Sequence, residues 1–132
     1  MASIFTRIVN GEIPCFRVAE DDNYIAFLDV RPLKAGHTLV VPKKEVDYIF
    51  DMDQEALAGM MLFAQKVAKA MKEVIECKRI GVAVIGLEVP HAHIHLIPLT
   101  REGDMLFTNP RVALSPEENE RLSKEIGARV RL

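Results

Sequence analysis

From His91 to Leu96 the chain reads His-Ala-His-Ile-His-Leu, so three of its four histidines fall within five residues, each separated from the next by an apolar residue. A strict period of two specifies a β-strand, because successive side chains leave opposite faces and residues i, i+2 and i+4 line one side. Three imidazoles then stand in a row, with about 7 Å between neighbouring Cα positions. Ala92, Ile94 and Leu96 read as the opposite, buried face. One strand must therefore carry core on one side and a band of ionisable rings on the other. Packing alone does not call for that concentration of an otherwise scarce residue.

A length of 132 residues allows one domain, 1–132, with a core that needs no disulfide or metal staples. The net charge of −2, with both signs interspersed, offers no stripe for a nucleic acid polymer. Cys15 and Cys77 are isolated and form neither a disulfide framework nor a CxxC knuckle, which favours a reducing compartment. Polar residues interrupt the amino terminus before a signal-peptide core can form, and the apolar runs are too short to cross a bilayer. A cytoplasmic protein without membrane contact is expected.

Phe16 to Glu20 and Tyr24 to Asp29, separated by Asp21-Asp22-Asn23, predict a hairpin. His37 to Val41 is a β-branched run ended by Pro42. Leu57, Met60, Met61, Ala64, Val67, Ala68, Met71, Val74 and Ile75 recur at helical spacing. Asp51 is placed to cap that helix, with Gln54 three residues on. Arg79 to Ile85 predicts the next strand and the histidine segment the last. Ser115-Pro116-Glu117-Glu118 opens a terminal helix over about 116–131. Its thin apolar face, Leu122, Ile126 and Val130, needs a surface to lie on, such as a partner subunit. This order argues for an α+β fold with an antiparallel sheet.

Three side-by-side imidazoles buried for structure alone would leave up to six ring nitrogens needing partners. Alternating histidines can also supply zinc ligands, but no cysteine or carboxylate shares their face to complete a set. Nucleophilic catalysis explains the row better. Near neutral pH much of the imidazole is uncharged, so a central ring can attack phosphorus while its neighbours orient it or bind anionic oxygens.

His91-Ala92-His93-Ile94-His95-Leu96-Ile97 resembles the signature of the histidine triad (HIT) superfamily. Ile4-Phe5 with Ile8, Asn10-Gly11-Glu12-Ile13-Pro14, Ala26 to Val30 with Pro32, and Gly36 to Lys43 resemble its Hint-like branch in order and spacing. The likeness covers roughly residues 3–99 and leaves the C-terminal third without a usable motif. It implies a five-stranded antiparallel sheet with one long helix and a C-terminal helix, two sheets being joined across a homodimer. It further implies a nucleotide hydrolase or transferase that acts at the α-phosphate of a purine nucleoside phosphoramidate or related conjugate, without a cofactor. By this resemblance His93 is the nucleophile and forms a nucleotidyl-histidine intermediate. His95 contacts the phosphate or leaving group, while His91 and His37 support them. Asp29 accepts from the ribose hydroxyls, and Phe5, Ile4, Ile8, Phe27 and Val30 line the base pocket. Asp29 also reads as an ordinary turn residue at a strand end.

Departures from the pattern matter as well. Many bacterial members carry a zinc-binding CxxC near the amino terminus, completed by two histidines; the corresponding positions here are Ser3, Thr6 and Glu45, so no structural zinc is expected. The loop before the triad is shortened, with Leu87 in place of glutamine. Glu88 stands where a hydroxyl residue often assists the leaving group; it reads equally as a solvent-facing side chain or as a partner for a cationic amine. A dinucleoside polyphosphate hydrolase is the alternative enzyme, and a dimeric nucleotide-binding regulatory scaffold with vestigial hydrolysis is the alternative from another class.

Overall fold

The computed structural model describes residues 2–132. Its elements are α1 (Ile4–Val9), β1 (Arg17–Glu20), β2 (Tyr24–Leu28), β3 (Thr38–Pro42), α2 (Gln54–Val74), β4 (Arg79–Ala83), β5 (Ile94–Leu99) and α3 (Pro116–Gly127). The five strands form one sheet in the order β1-β2-β3-β5-β4, and every neighbouring pair is antiparallel. The expected α+β class, five-stranded sheet, long helix and terminal helix are all present.

Period-two alternation divides β2 and β3 between two cores, which is why every residue of both strands is buried. Ala26, Leu28 and Val40 face α2 and pack with Met60, Phe63, Val67, Met71, Ile94 and Leu96. Ile25, Phe27, Leu39 and Val41 face the other way and are covered by Phe5 of α1. The sheet is thus a middle layer, with one long helix behind it and one short helix over the histidine side.

Helix α2 begins two residues later than the Asp51 cap predicts. Asp53 caps it, its carboxylate accepting from Ala56 N–H at 2.8 Å, while Asp51 closes a 3-10 turn at Ile49–Asp51. The buried stripe also shifts: Phe63 and Ala70 are inside, and Met61 is 47% exposed. The later start follows from aspartates two apart, either of which can accept from a first-turn amide, while packing on the sheet sets the buried face.

Ser115 caps α3 as expected, with Pro116 in the first turn, and Glu118 completes a capping box by reaching back to the Ser115 backbone. Helix α3 rests on β1 and α2 of its own chain rather than needing a partner. Leu122 and Ile126 are buried there, and Gly127 allows the contact, since a Cβ would lie 2.5 Å from the Val18 carbonyl oxygen. A second glycine, Gly36, ends the β2–β3 loop at φ +90, against Ile75, where a side chain would be both strained and obstructed.

Candidate active site

The histidine segment differs from a plain strand. Ladder pairing starts at Ile94, opposite Val40, so His95 lies within β5 while His91 and His93 occupy its lead-in. Side-chain and loop bonds replace the ladder there: Ala92 N–H donates to Val46 O at 2.7 Å, and His91 Nε2 meets Pro42 O at 2.7 Å. Alternation persists through the lead-in, for Ala92, Ile94 and Leu96 join the α2 core as expected.

The imidazole face is covered too. Phe5 sets its ring edge against His91 and His93, with centroids 5.8 and 4.9 Å apart. Phe107, arriving from the chain after β5, sits 4.9 Å from His95 and 6.4 Å from His37. His37 is fully buried at the loop end of β3 and bonds to His95 across the β3–β5 pair. All four histidines therefore lie in one buried cluster.

The hydrogen bonds assign the ring protons in sequence. Leu33 N–H donates to His37 Nδ1 at 3.0 Å, so the neutral His37 ring carries its proton on Nε2. That proton is donated to His95 Nδ1 at 3.0 Å, which leaves His95 with its own proton on Nε2. The His91 carbonyl accepts from His93 Nδ1 at 2.8 Å, so the Nε2 of a neutral His93 is a bare lone pair. His91 donates Nε2–H to Pro42 O and accepts at Nδ1 from the Ser3 hydroxyl at 2.7 Å. Of the six triad ring nitrogens, only the Nε2 atoms of His93 and His95 have no partner among the described residues. Among the described residues no fully buried side-chain nitrogen or oxygen is orphaned, so both atoms open to solvent. The pair offers one nucleophilic lone pair beside one N–H donor.

Burial, reinforced by nearby positive charge, holds His37 down to about 3 and His95 to about 4. His91 is lowered as well, again chiefly by burial, against the opposing pull of Pro42 O and Glu45. Asp29 moves the other way because burial outweighs its bond to a backbone amide. One of its oxygens accepts from Arg31 N–H at 2.9 Å, the turn role; the other lies 3.7 Å from His37 Nε2 and remains an acceptor facing the cluster.

The expected base-lining residues divide by exposure. Phe5 and Phe27 are buried edge to face, 5.7 Å apart, while Ile8 packs partly beside them. Ile4 and Val30 are 49% and 71% exposed, leaving apolar surface at the rim. Glu88 is exposed, and its side chain makes no hydrogen bond or ion pair among the described residues.

Ser3, Thr6 and Glu45 come together at the His91 end. Glu45 Oε1 accepts from Ser3 N–H at 2.7 Å and from the Thr6 hydroxyl at 2.6 Å. Those bonds, Thr6 first, draw the Glu45 carboxyl down to about 2. At the opposite end a carboxylate oxygen of Asp29 and ring nitrogens of His37 and His95 lie within 4.8 Å of one another. Those two nitrogens are committed to each other as donor and acceptor, which is poor provision for a metal ion.

Two neighbours of the cluster carry no signal in the sequence. Phe107 and Arg111 lie beyond the motif-bearing region, in a stretch without periodicity. Arg111 donates to Arg31 O at 2.8 Å, Val112 N–H donates to Pro32 O at 2.9 Å, and the Arg111 guanidinium lies 5.6 Å from the Phe107 ring centre.

Comparison with known proteins agrees with this architecture. The family model described as HIT domain matches residues 10–102. An adenosine 5′-monophosphoramidase of Schizosaccharomyces pombe is 34% identical over 133 residues, covering 99% of this chain and 100% of that protein. Among solved structures, a HIT-like protein involved in cell-cycle regulation from Bartonella henselae superposes with a TM-score of 0.84 at 36% identity, covering 96% of this chain and 94% of that one. A zinc-bound histidine triad family protein from Mycobacterium smegmatis gives 0.81 at 32% identity, covering 98% and 94%. With motif, sheet order and relatives in agreement over nearly its whole length, this chain belongs to the HIT family.

Proposed function

We propose that this protein hydrolyses purine nucleoside phosphoramidates, or closely related nucleotide conjugates, at the α-phosphate. The observation that carries the reading is the proton order of the cluster: a bare Nε2 on His93 stands beside an Nε2–H on His95. His93 Nε2 attacks phosphorus, the P–N bond breaks, and the electron pair leaves with the amine, which takes a proton from solvent. His95 donates a hydrogen bond to a phosphoryl oxygen rather than giving up its proton, because its Nδ1 is already filled by the His37 donor and burial opposes a charged ring. Water then attacks the nucleotidyl-histidine, restoring neutral His93 and releasing the nucleoside monophosphate and a proton.

Asp29 has an acceptor oxygen left for ribose hydroxyls, and Ile4 and Val30 extend apolar surface from Phe5 and Phe27 towards a base. The exposed carboxylate of Glu88, three residues before His91, favours a cationic amine over a polyphosphate as leaving group. The Schizosaccharomyces pombe relative, an adenosine 5′-monophosphoramidase, supports the same chemistry. A second copy of the chain is part of this reading. Strand β4 is a sheet edge that carries exposed Val82, and just beyond it exposed Val84 and Ile85 line a hollow with Met61 of α2.

Chelator-treated protein is offered adenosine 5′-phosphoramidate, with diadenosine polyphosphates in parallel. Turnover of the phosphoramidate, lost by about 10⁴-fold or more in His93→Ala, is expected. Equal turnover by the variant rejects the covalent route, and preference for the polyphosphates rejects the substrate class. Sedimentation should show a dimer; a monomer at micromolar concentration removes the second copy.

A further inference from the structure

The cluster as described has donors and a lone pair but a shortage of positive charge. Burial keeps His37 and His95 uncharged, and Asp29 contributes a carboxylate. An α-phosphoryl group is anionic in the ground state and gathers charge on its oxygens as the nucleophile adds. A fixed cation at the rim would meet both needs.

We propose that Arg111, carried on the Phe107 ring by the segment between β5 and α3, is the anion clamp for the nucleotide's phosphate; this rests on the nucleotide reading above. Four observations converge on it. Arg111 forms no ion pair with any carboxylate among the described residues, so its charge is not already neutralised by a salt bridge. Its guanidinium is pre-positioned, donating from Nη1 to Arg31 O at 2.8 Å and from Nη2 to Phe107 O at 3.5 Å. Two of five N–H groups are thereby used, leaving three for a ligand. Its plane is supported 5.6 Å from the Phe107 ring centre, and that ring is itself 4.9 Å from His95. The same charge is felt inside the cluster, where it lowers the proton affinity of His37, His95 and Asp29.

The anchoring also explains why an irregular segment can hold a cation in place. Arg31 N–H is tied to Asp29, Arg31 O to Arg111, and Pro32 O to Val112 N–H. The turn that presents the ribose acceptor and the segment that presents the cation are one bonded unit. A planar fork suits phosphate oxygens better than an ammonium would.

Calorimetry with AMP and with adenosine, on wild type, Arg111→Met and Arg111→Lys, tests the assignment. Arg111→Met is expected to weaken AMP about tenfold to hundredfold and to leave adenosine unchanged, with Arg111→Lys between. AMP affinity of the wild type should fall with added salt and that of Arg111→Met should be much flatter. Equal weakening of both ligands would mean that the segment merely loosened, and no change in either would mean that the arginine is a bystander; both overturn the clamp. Thermal melts of the variants show whether the fold survives, and Phe107→Leu adds a case in which the support goes but the charge remains. If the wild type binds neither AMP nor adenosine, the nucleotide reading itself fails; if it binds both and Arg111→Met does not distinguish them, only the clamp fails.

Discussion

At the His91 end of the imidazole row the ring is held by short polar side chains: the Ser3 hydroxyl on Nδ1, the Pro42 carbonyl on Nε2, and Glu45 gathering Ser3 and Thr6. At the His95 end it is held by another imidazole, a buried backbone amide and an aromatic ring. The first end is anchored by a carboxylate that prefers to stay charged, the second by rings that burial keeps neutral. One row of identical residues thus acquires different partners at its two ends from its surroundings.

Substitutions that damage one end at a time separate these roles. The largest effect should come from His37→Leu, which strips the donor from His95 Nδ1 and leaves Leu33 N–H without an acceptor in a fully buried position. A stability loss of about 2–3 kcal/mol is expected, with turnover down about 10²-fold. If chemical denaturation and turnover both stay at wild-type values, the neutral end is not held by that chain of bonds.

Acid should act at the same end. Both His37 and His95 bind protons more weakly folded than at their ordinary value of 6.5, so their contribution is complete above that pH. It declines as the pH falls from 6.5 through about 4 for His95 and about 3 for His37. A fold whose stability is flat across this window would contradict the burial argument.

Ser3→Ala should cost less, about 1–2 kcal/mol, because Pro42 O still holds the other side of His91. Turnover should drop less than tenfold, and Ser3→Thr should restore most of it. A loss as deep as that of His37→Leu would make the two ends equivalent. Glu45→Gln should lower stability at neutral pH, because the carboxylate's bonds to Ser3 N–H and Thr6 contribute in full above the ordinary value of 4.5. It should also remove the part of the acid sensitivity that lies between 4.5 and about 2, where the unfolded chain takes up a proton that the folded carboxylate still refuses. An unaltered acid limb would show that Glu45 is not what titrates there. Smallest of all should be the coupling between Ser3→Ala and His37→Leu, within about 0.5 kcal/mol if the ends are independent.

Legibility in the sequence followed the same division. Alternation revealed His91, His93 and His95, and the helical repeat found α2, because each is a local pattern tied to a single element. The start of α2 was misplaced because Asp51 and Asp53 offer the same cap chemistry and only tertiary packing chooses between them. The positions of Ser3, Thr6 and Glu45 were legible through family likeness, but not the bonds among them. Phe107 and Arg111 were invisible, since they reach His95 and Arg31 by a return of the chain that no period or motif encodes. The tautomers were equally hidden, for they depend on one backbone amide, that of Leu33, meeting one ring nitrogen.

Ser3 has a consequence beyond its local bonds. Its hydroxyl oxygen closes the first turn of α1 by accepting from Thr6 N–H at 3.0 Å while its hydrogen serves His91. Six residues cannot sustain a helix alone in water, so α1 endures only while docked. A proton arriving on His91 Nδ1 would reverse the direction of that contact and compete for the oxygen that fastens the turn. The short helix is therefore fastened by the very ring it covers, and protonation of His91 should loosen α1 from the row.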